Sequence, residues 1–349
     1  MLYLCLMLTK EQKIDAFAEL GLIMADATSD SPASARATRL KEIMNTQEQN
    51  NKWFTPDNVR RAAESIALML REDKLKAWLD PYNIGETPSR KVVAVVMAGN
   101  IPLVGFHDLL CVTMSGNIIL AKTSTKDSDL IPAVADILIS LNEDFREYIR
   151  FTDKINSHYD AVIATGSDNT ARYFEYYFGH KPHIFRKNRN SIAIIDRNTK
   201  EKDLKALGND IFSYFGLGCR NVSKLYIEEG LDPLMITENW SDWSPVIKHI
   251  PYANNYLYNK SLFHINRQNF HDNGFSLLLN NNGLSSPVSV IYYEHFSSIK
   301  KLHEDLRQKT ENIQCIVSEN NTPFGQTQYP GADEYPDNVD TMKFLISLQ

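Results

Sequence analysis

Between residues 91 and 177 the chain alternates short apolar, β-branched runs with amphipathic stretches, and no other feature constrains its fold as tightly. Residues 92–97 form one continuous apolar run, the texture of a strand covered on both faces. Residues 102–115 read as a helix that Gly116 is placed to end. Ile118–Lys122 reads as a second strand, residues 129–141 as a second helix and residues 161–164 as a third strand. Thr165-Gly166-Ser167 follows, then a helix through Tyr177. Strand and helix in this order specify a parallel, doubly wound α/β sheet. Such sheets bind ligands in the loops beyond their strand ends.

A second block begins near Arg186. Residues 191–195 read as a strand, 200–214 as a helix and 222–227 as a strand. Residues 287–292, 294–306 and Ile313–Val317 repeat strand, helix, strand. Between them, residues 254–282 are rich in Asn and aromatics, and read as an irregular substrate-facing loop or a poorly packed insertion. Upstream, Thr55-Pro56 opens a helix with an N-cap and a proline at its first position. Val59, Ala63, Ile66, Ala67 and Leu70 give that helix a buried face. Pro81, Gly85 and Pro88 mark a loop.

Composition removes several function classes. A chain of 349 residues, 43% hydrophobic, is long enough for one large domain or two lobes. A net charge of −6 argues against a nucleic-acid partner. The pairs Arg60-Arg61 and Lys300-Lys301 read as solvated helix faces. Four cysteines, Cys5, Cys111, Cys219 and Cys315, lie far apart without a Cys-x-x-Cys pair, so neither a metal site nor a disulfide framework is expected, and a reducing cytoplasm is. Residues 1–8 are apolar but lack a basic lead and a cleavage site; they read as a buried strand or helix start. No run is long enough to span a bilayer.

Four loops carry candidate chemistry, although Gly-x-Gly-x-x-Gly is missing. In Ala98-Gly99-Asn100-Ile101-Pro102 the Asn100 amide suits an oxyanion donor; spacing alone favours a helix cap instead. Lys122, ending a strand in Gly116-Asn117-Ile118-Ile119-Leu120-Ala121-Lys122-Thr123-Ser124-Thr125, suits a ribose or phosphate, or is a surface lysine. Thr165-Gly166-Ser167 makes an anion seat at a helix start, as many turns do without binding anything. In Phe215-Gly216-Leu217-Gly218-Cys219, two glycines lead to a lone cysteine. A thiolate there needs an exposed, electropositive seat. Cys111 falls in a helix and Cys315 in a strand, so both read as core.

The order of these loops resembles the aldehyde dehydrogenase superfamily. The family's strand, Trp-Asn-Phe-Pro, helix, Gly-Asn, strand, Lys-Pro-Ser is echoed by residues 92–102 and 116–124. Its Thr-Gly-Ser turn is echoed by Thr165-Gly166-Ser167, its nucleophilic cysteine by Cys219, and its Gly-Pro-Val by Ser286-Pro287-Val288. The likeness covers roughly residues 91–294. It implies two doubly wound Rossmann-like lobes plus a small oligomerisation element. The divisions expected are a cofactor-binding domain at 1–185, a catalytic domain at 186–322, and a tail at 323–349 that returns to the cofactor domain or an oligomer interface. It further implies Cys219 as nucleophile, with the Asn100 side chain and the Cys219 N–H as oxyanion hole. Lys122 and Ser124 would hold the adenine ribose, and Thr165, Gly166 and Ser167 would lie near the cofactor pyrophosphate.

Departures from the family pattern narrow the function. Hydrolytic members carry Glu-Leu-Gly-Gly, whose carboxylate activates water; the matching place is near Phe185-Arg186-Lys187-Asn188, which has none. General-base help is worth about 10²–10⁴-fold, so an acyl-enzyme here favours a thiol partner over water. Arg186, Lys187 and Arg189 read as contacts for CoA phosphates or as a solvated basic turn. NAD-preferring members often place Glu three residues after the lysine. Thr125 stands there instead, favouring NADPH, with NADH the alternative. Gly283-Leu284-Ser285-Ser286 likewise replaces a second ribose Glu.

The short N-terminal part and residues 340–345 bring the likeness closest to the bioluminescence-type fatty-acyl-CoA reductases. The expected activity is NADPH-dependent reduction of an acyl-CoA or acyl-protein thioester to an aldehyde. The expected assembly is a homo-oligomer, dimer or tetramer, with an acyl-transferring synthetase as a candidate partner. The alternatives are a γ-glutamyl-phosphate reductase, a CoA-acylating aldehyde dehydrogenase, and a non-catalytic subunit of a reductase complex.

Overall fold

A computed structural model describes residues 7–84, 90–156, 158–166 and 168–348. The sequence readings on residues 1–6 (Cys5 among them), Gly85, Pro88 and Ser167 lie outside these. The chain divides into two compact units, Met1–Lys187 with Tyr329–Gln349, and Asn188–Gln328.

The first unit opens with four helices, α1 (Lys10–Thr28), α2 (Ala35–Asn50), α3 (Pro56–Met69) and α4 (Glu72–Leu79). Their ends follow local chemistry. Thr9 and Gln12 form a capping box on α1, and Thr55 accepts the Asn58 N–H beside Pro56 at the start of α3. Phe17 of α1 meets Phe106 and Phe145 edge-on.

A parallel sheet follows: β1 (Val92–Val96), α5 (Phe106–Met114), β2 (Ile118–Lys122), α6 (Leu130–Leu141), β3 (Ile149–Phe151), β4 (Ala161–Thr165), α7 (Asp168–Phe178) and β5 (His183–Arg186). Its strand order is β3-β2-β1-β4-β5. The β-branched run that predicts β1 is buried at Val93, Ala94 and Val95. Every residue of α5 is buried, and its polar side chains find partners inside the protein. Thr113 donates to Leu109 O at 2.7 Å, and Asp108 pairs with Arg186 at 2.6 Å.

The second unit holds β6 (Asn190–Ile195), α8 (Glu201–Phe212), β7 (Val222–Glu228), α9 (Pro233–Glu238), α10 (Ile250–Ile265), β8 (Phe270–Asp272), β9 (Leu277–Asn280), β10 (Val290–Phe296), α11 (Ile299–Arg307) and β11 (Ile313–Val317). The order is β11-β6-β7-β10-β9-β8, parallel except for β8. Ala193, Ile195, Leu225 and Ile227 pack with Leu207 and Ile211 of α8, while Ile192, Ile194 and Tyr226 pack with Leu302 and Leu306 of α11. Helices thus cover both faces, as a doubly wound sheet requires. The chain then rejoins the first unit, ending in α12 (Thr341–Ile346).

Two expectations fail here. The Asn-rich region is regular structure, because its amides are used along α10: Asn255 donates to Pro251 O and Asn259 to Asn255 O and Val288 O. The helix expected from Glu294 begins at Ile299. Glu294 stays in β10, where its carboxylate receives buried Lys224 Nζ at 2.8 Å.

Candidate active site

In the first sheet the carboxyl ends of β2, β1 and β4 are neighbours. Strand order reverses between β1 and β4, the place where open α/β sheets bind ligands. Asn100 follows β1, Lys122 ends β2, and Thr165 and Gly166 end β4. Lys122, Ser124, Thr165 and Gly166 are half-buried, and Asn100 and Thr125 are exposed. The topology therefore gathers the six described candidates of this unit on one edge.

Two of the turns are built against each other. A Cβ on Gly99 would stand 2.5 Å from Ser124 Oγ, so only glycine lets the chain pass there. Beyond Asn100, Leu103 takes a left-handed backbone (φ 60°) and donates its N–H to Asp127 Oδ2 at 2.8 Å. Asp127 is 3% exposed, and burial pushes its carboxyl up to about 6. This turn also corrects the helix expected from Pro102. α5 starts at Phe106, behind Gly105, whose Cβ would strike Met97 Sδ at 2.5 Å. Asn100 therefore does not cap that helix.

Arg186 is neither a solvated turn residue nor a phosphate contact. It is 4% exposed, pairs with Asp108 and donates to Thr341 Oγ1 at 3.2 Å. Burial disfavours its charge, but the attraction and hydrogen bond of Asp108, with the charge of Asp337, together raise its pKa. Arg189 donates to the carbonyls of Thr310 and Ile313.

Cys219 lies in the second unit, three residues before β7 and so at the amino edge of the sheet; it is exposed, whereas Cys111 and Cys315 are buried. Burial, then the charge of Asp108, holds the Cys111 thiol well above its usual range. The loop reaches Cys219 through Tyr214, Phe215 and Gly216 at φ 51°, 57° and 77°, a conformation that non-glycine residues rarely adopt. Phe215 stacks on His249, ring centroids 4.1 Å apart. Behind Cys219, Asn221 Oδ1 accepts the Gly218 N–H at 2.8 Å, and Ser191 Oγ donates to Cys219 O at 2.9 Å. Arg220 Nη1 points at Cys315 Sγ, 3.4 Å away. A cavity of about 290 Å³ beside Asp196, Lys200, His303 and Ser318 opens at the opposite, carboxyl edge.

Sequence reading missed Asp127, Ser191 and Asn221. Asn221 alone left a signal: an Asn just after a Gly-rich turn is a habitual side-chain-to-backbone hydrogen-bond former. Asp127 and Ser191 bond to residues 24 and 28 positions away, which no local pattern reveals. Among the described residues, no group of three His, Cys, Asp or Glu side chains is placed to hold a metal, and no helix is long and apolar enough to cross a membrane.

Residues 33–239 match the profile of the family described as acyl-CoA reductase (LuxC). A long-chain acyl-protein thioester reductase of Aliivibrio fischeri is 25% identical over 206 residues, covering 54% of this chain and 43% of that protein. The match thus spans less than half of the relative. Among solved structures, the indole-3-acetaldehyde dehydrogenase AldA of P. syringae, determined with NAD+, superposes with a TM-score of 0.62 at 14% identity, covering 89% of this chain and 72% of that one. An acetylating aldehyde dehydrogenase from Geobacillus thermoglucosidasius gives 0.57 at 11% identity, covering 89% and 77%. At these identities the likeness establishes an aldehyde-dehydrogenase-like fold.

Proposed function

The chain belongs to the LuxC family of acyl-CoA reductases, and from that premise we propose that it reduces a fatty acyl thioester to the aldehyde through an acyl-enzyme on Cys219. The observation that carries this reading is the contrast among the cysteines: Cys219 alone of the described three is exposed, at the head of a strained, hydrogen-bonded loop. Strain held by its surroundings clusters at functional sites.

In this mechanism the Cys219 thiolate attacks the acyl carbonyl and expels the donor thiol, CoA or a protein cysteine. The acyl-protein donor is supported by the activity named for the Aliivibrio relative. The resemblance to aldehyde dehydrogenases assigns the oxyanion donor to Asn100; one such donor is worth about 10²–10³-fold. Water is a poor acceptor of the acyl group, because residues 185–190 offer no carboxylate and the carboxylate that Arg186 touches is committed to its ion pair.

The carboxyl edge of the first sheet fits a nicotinamide dinucleotide. Its donors are an ammonium and two hydroxyls, from Lys122, Ser124 and Thr165, half-buried at a strand-order reversal. Gly166, and Ser167 beyond it, would approach the pyrophosphate. When bound, that cofactor supplies the hydride that brings the acyl group to the aldehyde level. NADPH is the preferred form in this reading, because Thr125 is uncharged and exposed where a carboxylate would repel a 2′-phosphate.

Acyl-CoAs of graded chain length, assayed with NADPH and NADH in parallel, test the proposal. Cys219→Ala is expected to abolish thioester-dependent cofactor oxidation; survival of that activity would show that the nucleophile lies elsewhere.

A further inference from the structure

We propose that Asn221 is the positioning residue of the nucleophile loop, the side chain that holds Cys219 at the loop's head. The inference rests on reading Cys219 as the nucleophile.

The last carbonyls of a helix have no partner within it. At the end of α8, Asn221 Nδ2 reaches three carbonyl oxygens of the helix end and the residue following it: Ser213 at 2.8 Å, Asp210 at 3.1 Å and Ile211 at 3.4 Å. A carboxamide has two hydrogens, so the two shorter contacts take them and the third shares. The other end of the amide grips the far side of the loop. Asn221 Oδ1 accepts the Gly218 N–H at 2.8 Å, while the Asn221 backbone N–H donates to Gly218 O at 3.0 Å. One side chain, 3% exposed, thus ties the helix end to the residue before the thiol.

Between these grips the chain runs through the left-handed residues Tyr214, Phe215 and Gly216. A strained non-glycine residue persists only where its surroundings over-determine it. Asn221 supplies that constraint, and Ser191 adds a second anchor. Its hydroxyl donates to Cys219 O and accepts the Cys315 N–H at 3.2 Å. Aspartate is the telling replacement for Asn221. It has the same shape and keeps the acceptor for Gly218, but it turns an oxygen on the carbonyls that the amide now satisfies.

The test uses the full chain and two readouts. Limited chymotrypsin digestion needs no substrate; Asn221→Asp is expected to open the Tyr214, Phe215 and Leu217 bonds selectively, at least tenfold faster than in the wild type, with the rest of the chain intact. Single-turnover thiol release from an acyl-CoA reads acyl-enzyme formation. Here a loss of about a hundredfold is expected, the scale of a misplacement near 1 Å, while NADPH affinity, carried by residues of the other unit, shifts less than threefold. A variant with neither selective cleavage nor slower acylation overturns the proposal, as does one whose NADPH affinity falls in step with acylation. If Asn221→Asp does not fold, Asn221→Ser, which introduces no charge, is read the same way. A wild type that forms no acyl-enzyme while the variant is selectively cleaved overturns the functional reading and leaves the positioning role supported.

Discussion

Cys219, Cys111 and Cys315 share one side-chain chemistry and meet different surroundings. Cys111 is fully buried in α5 beside His107, its Sγ 3.6 Å from Nδ1, and Cys315 is 6% exposed. Of these three, an alkylating reagent at neutral pH is expected to modify Cys219 first; mass mapping that finds Cys111 or Cys315 modified as fast would remove the basis for its role. Two buried carboxylates set a pH dependence of stability. Burial pushes Asp127 and Asp210 up to about 6, against the N–H donors that pull them down. The folded state then holds each proton that the unfolded state releases near 3.8. Stability therefore falls as pH rises from about 4 to 6, by on the order of 3 kcal/mol per group. Asp127→Asn keeps an acceptor for Leu103 and removes the charge. Denaturant midpoints are expected to favour it increasingly over the wild type from pH 4.5 to 7.5; a constant gap would contradict the assignment. Residue chemistry was legible in the sequence for Cys219, an exposed thiol behind glycines. It was not for Asp127, whose partner is 24 positions away.

At the scale of elements, α5 shows why polarity is a poor guide to exposure. His107 bonds to Ala332 O at 2.9 Å and Asp108 to Arg186, and both polar residues are buried. The ion pair joins α5 to β5 and, through Thr341, to α12. Removing one partner of a buried pair costs about 3–5 kcal/mol, so Asp108→Asn is expected to lower the melting temperature sharply. A thermal melt unchanged from wild type would mean the pair is solvated. Strand β10 teaches the same lesson. Its charged Glu294 reads as a helix start, yet a buried lysine on the neighbouring strand keeps it in the sheet. Element type was legible where apolar periodicity was strong, as in β1 and β2. It failed where a charge was neutralised by a partner on another element.

On the scale of the molecule, the C-terminal segment belongs to the unit that the N-terminal part builds. Tyr335 OH accepts the Trp78 indole N–H at 2.8 Å and lies 2.7 Å from Tyr82 OH, and Asn117 donates to Leu345 O at 3.1 Å. Deleting Tyr329–Gln349 is expected to make the first unit protease-sensitive while the second, which ends at Gln328, stays resistant; equal resistance of both units would refute this packing. The alternation of strands and helices, and the placing of loop residues at strand ends, were determined by the sequence alone. Periodicity is a local property, written in neighbours three or two positions apart. Only the tertiary structure decided that Arg186 is an internal ion pair, that Gly99 yields its space to Ser124, and that Asn221 closes the loop of Cys219. Each depends on groups that meet in space after the chain has folded, where burial makes an unmatched polar atom too costly to leave.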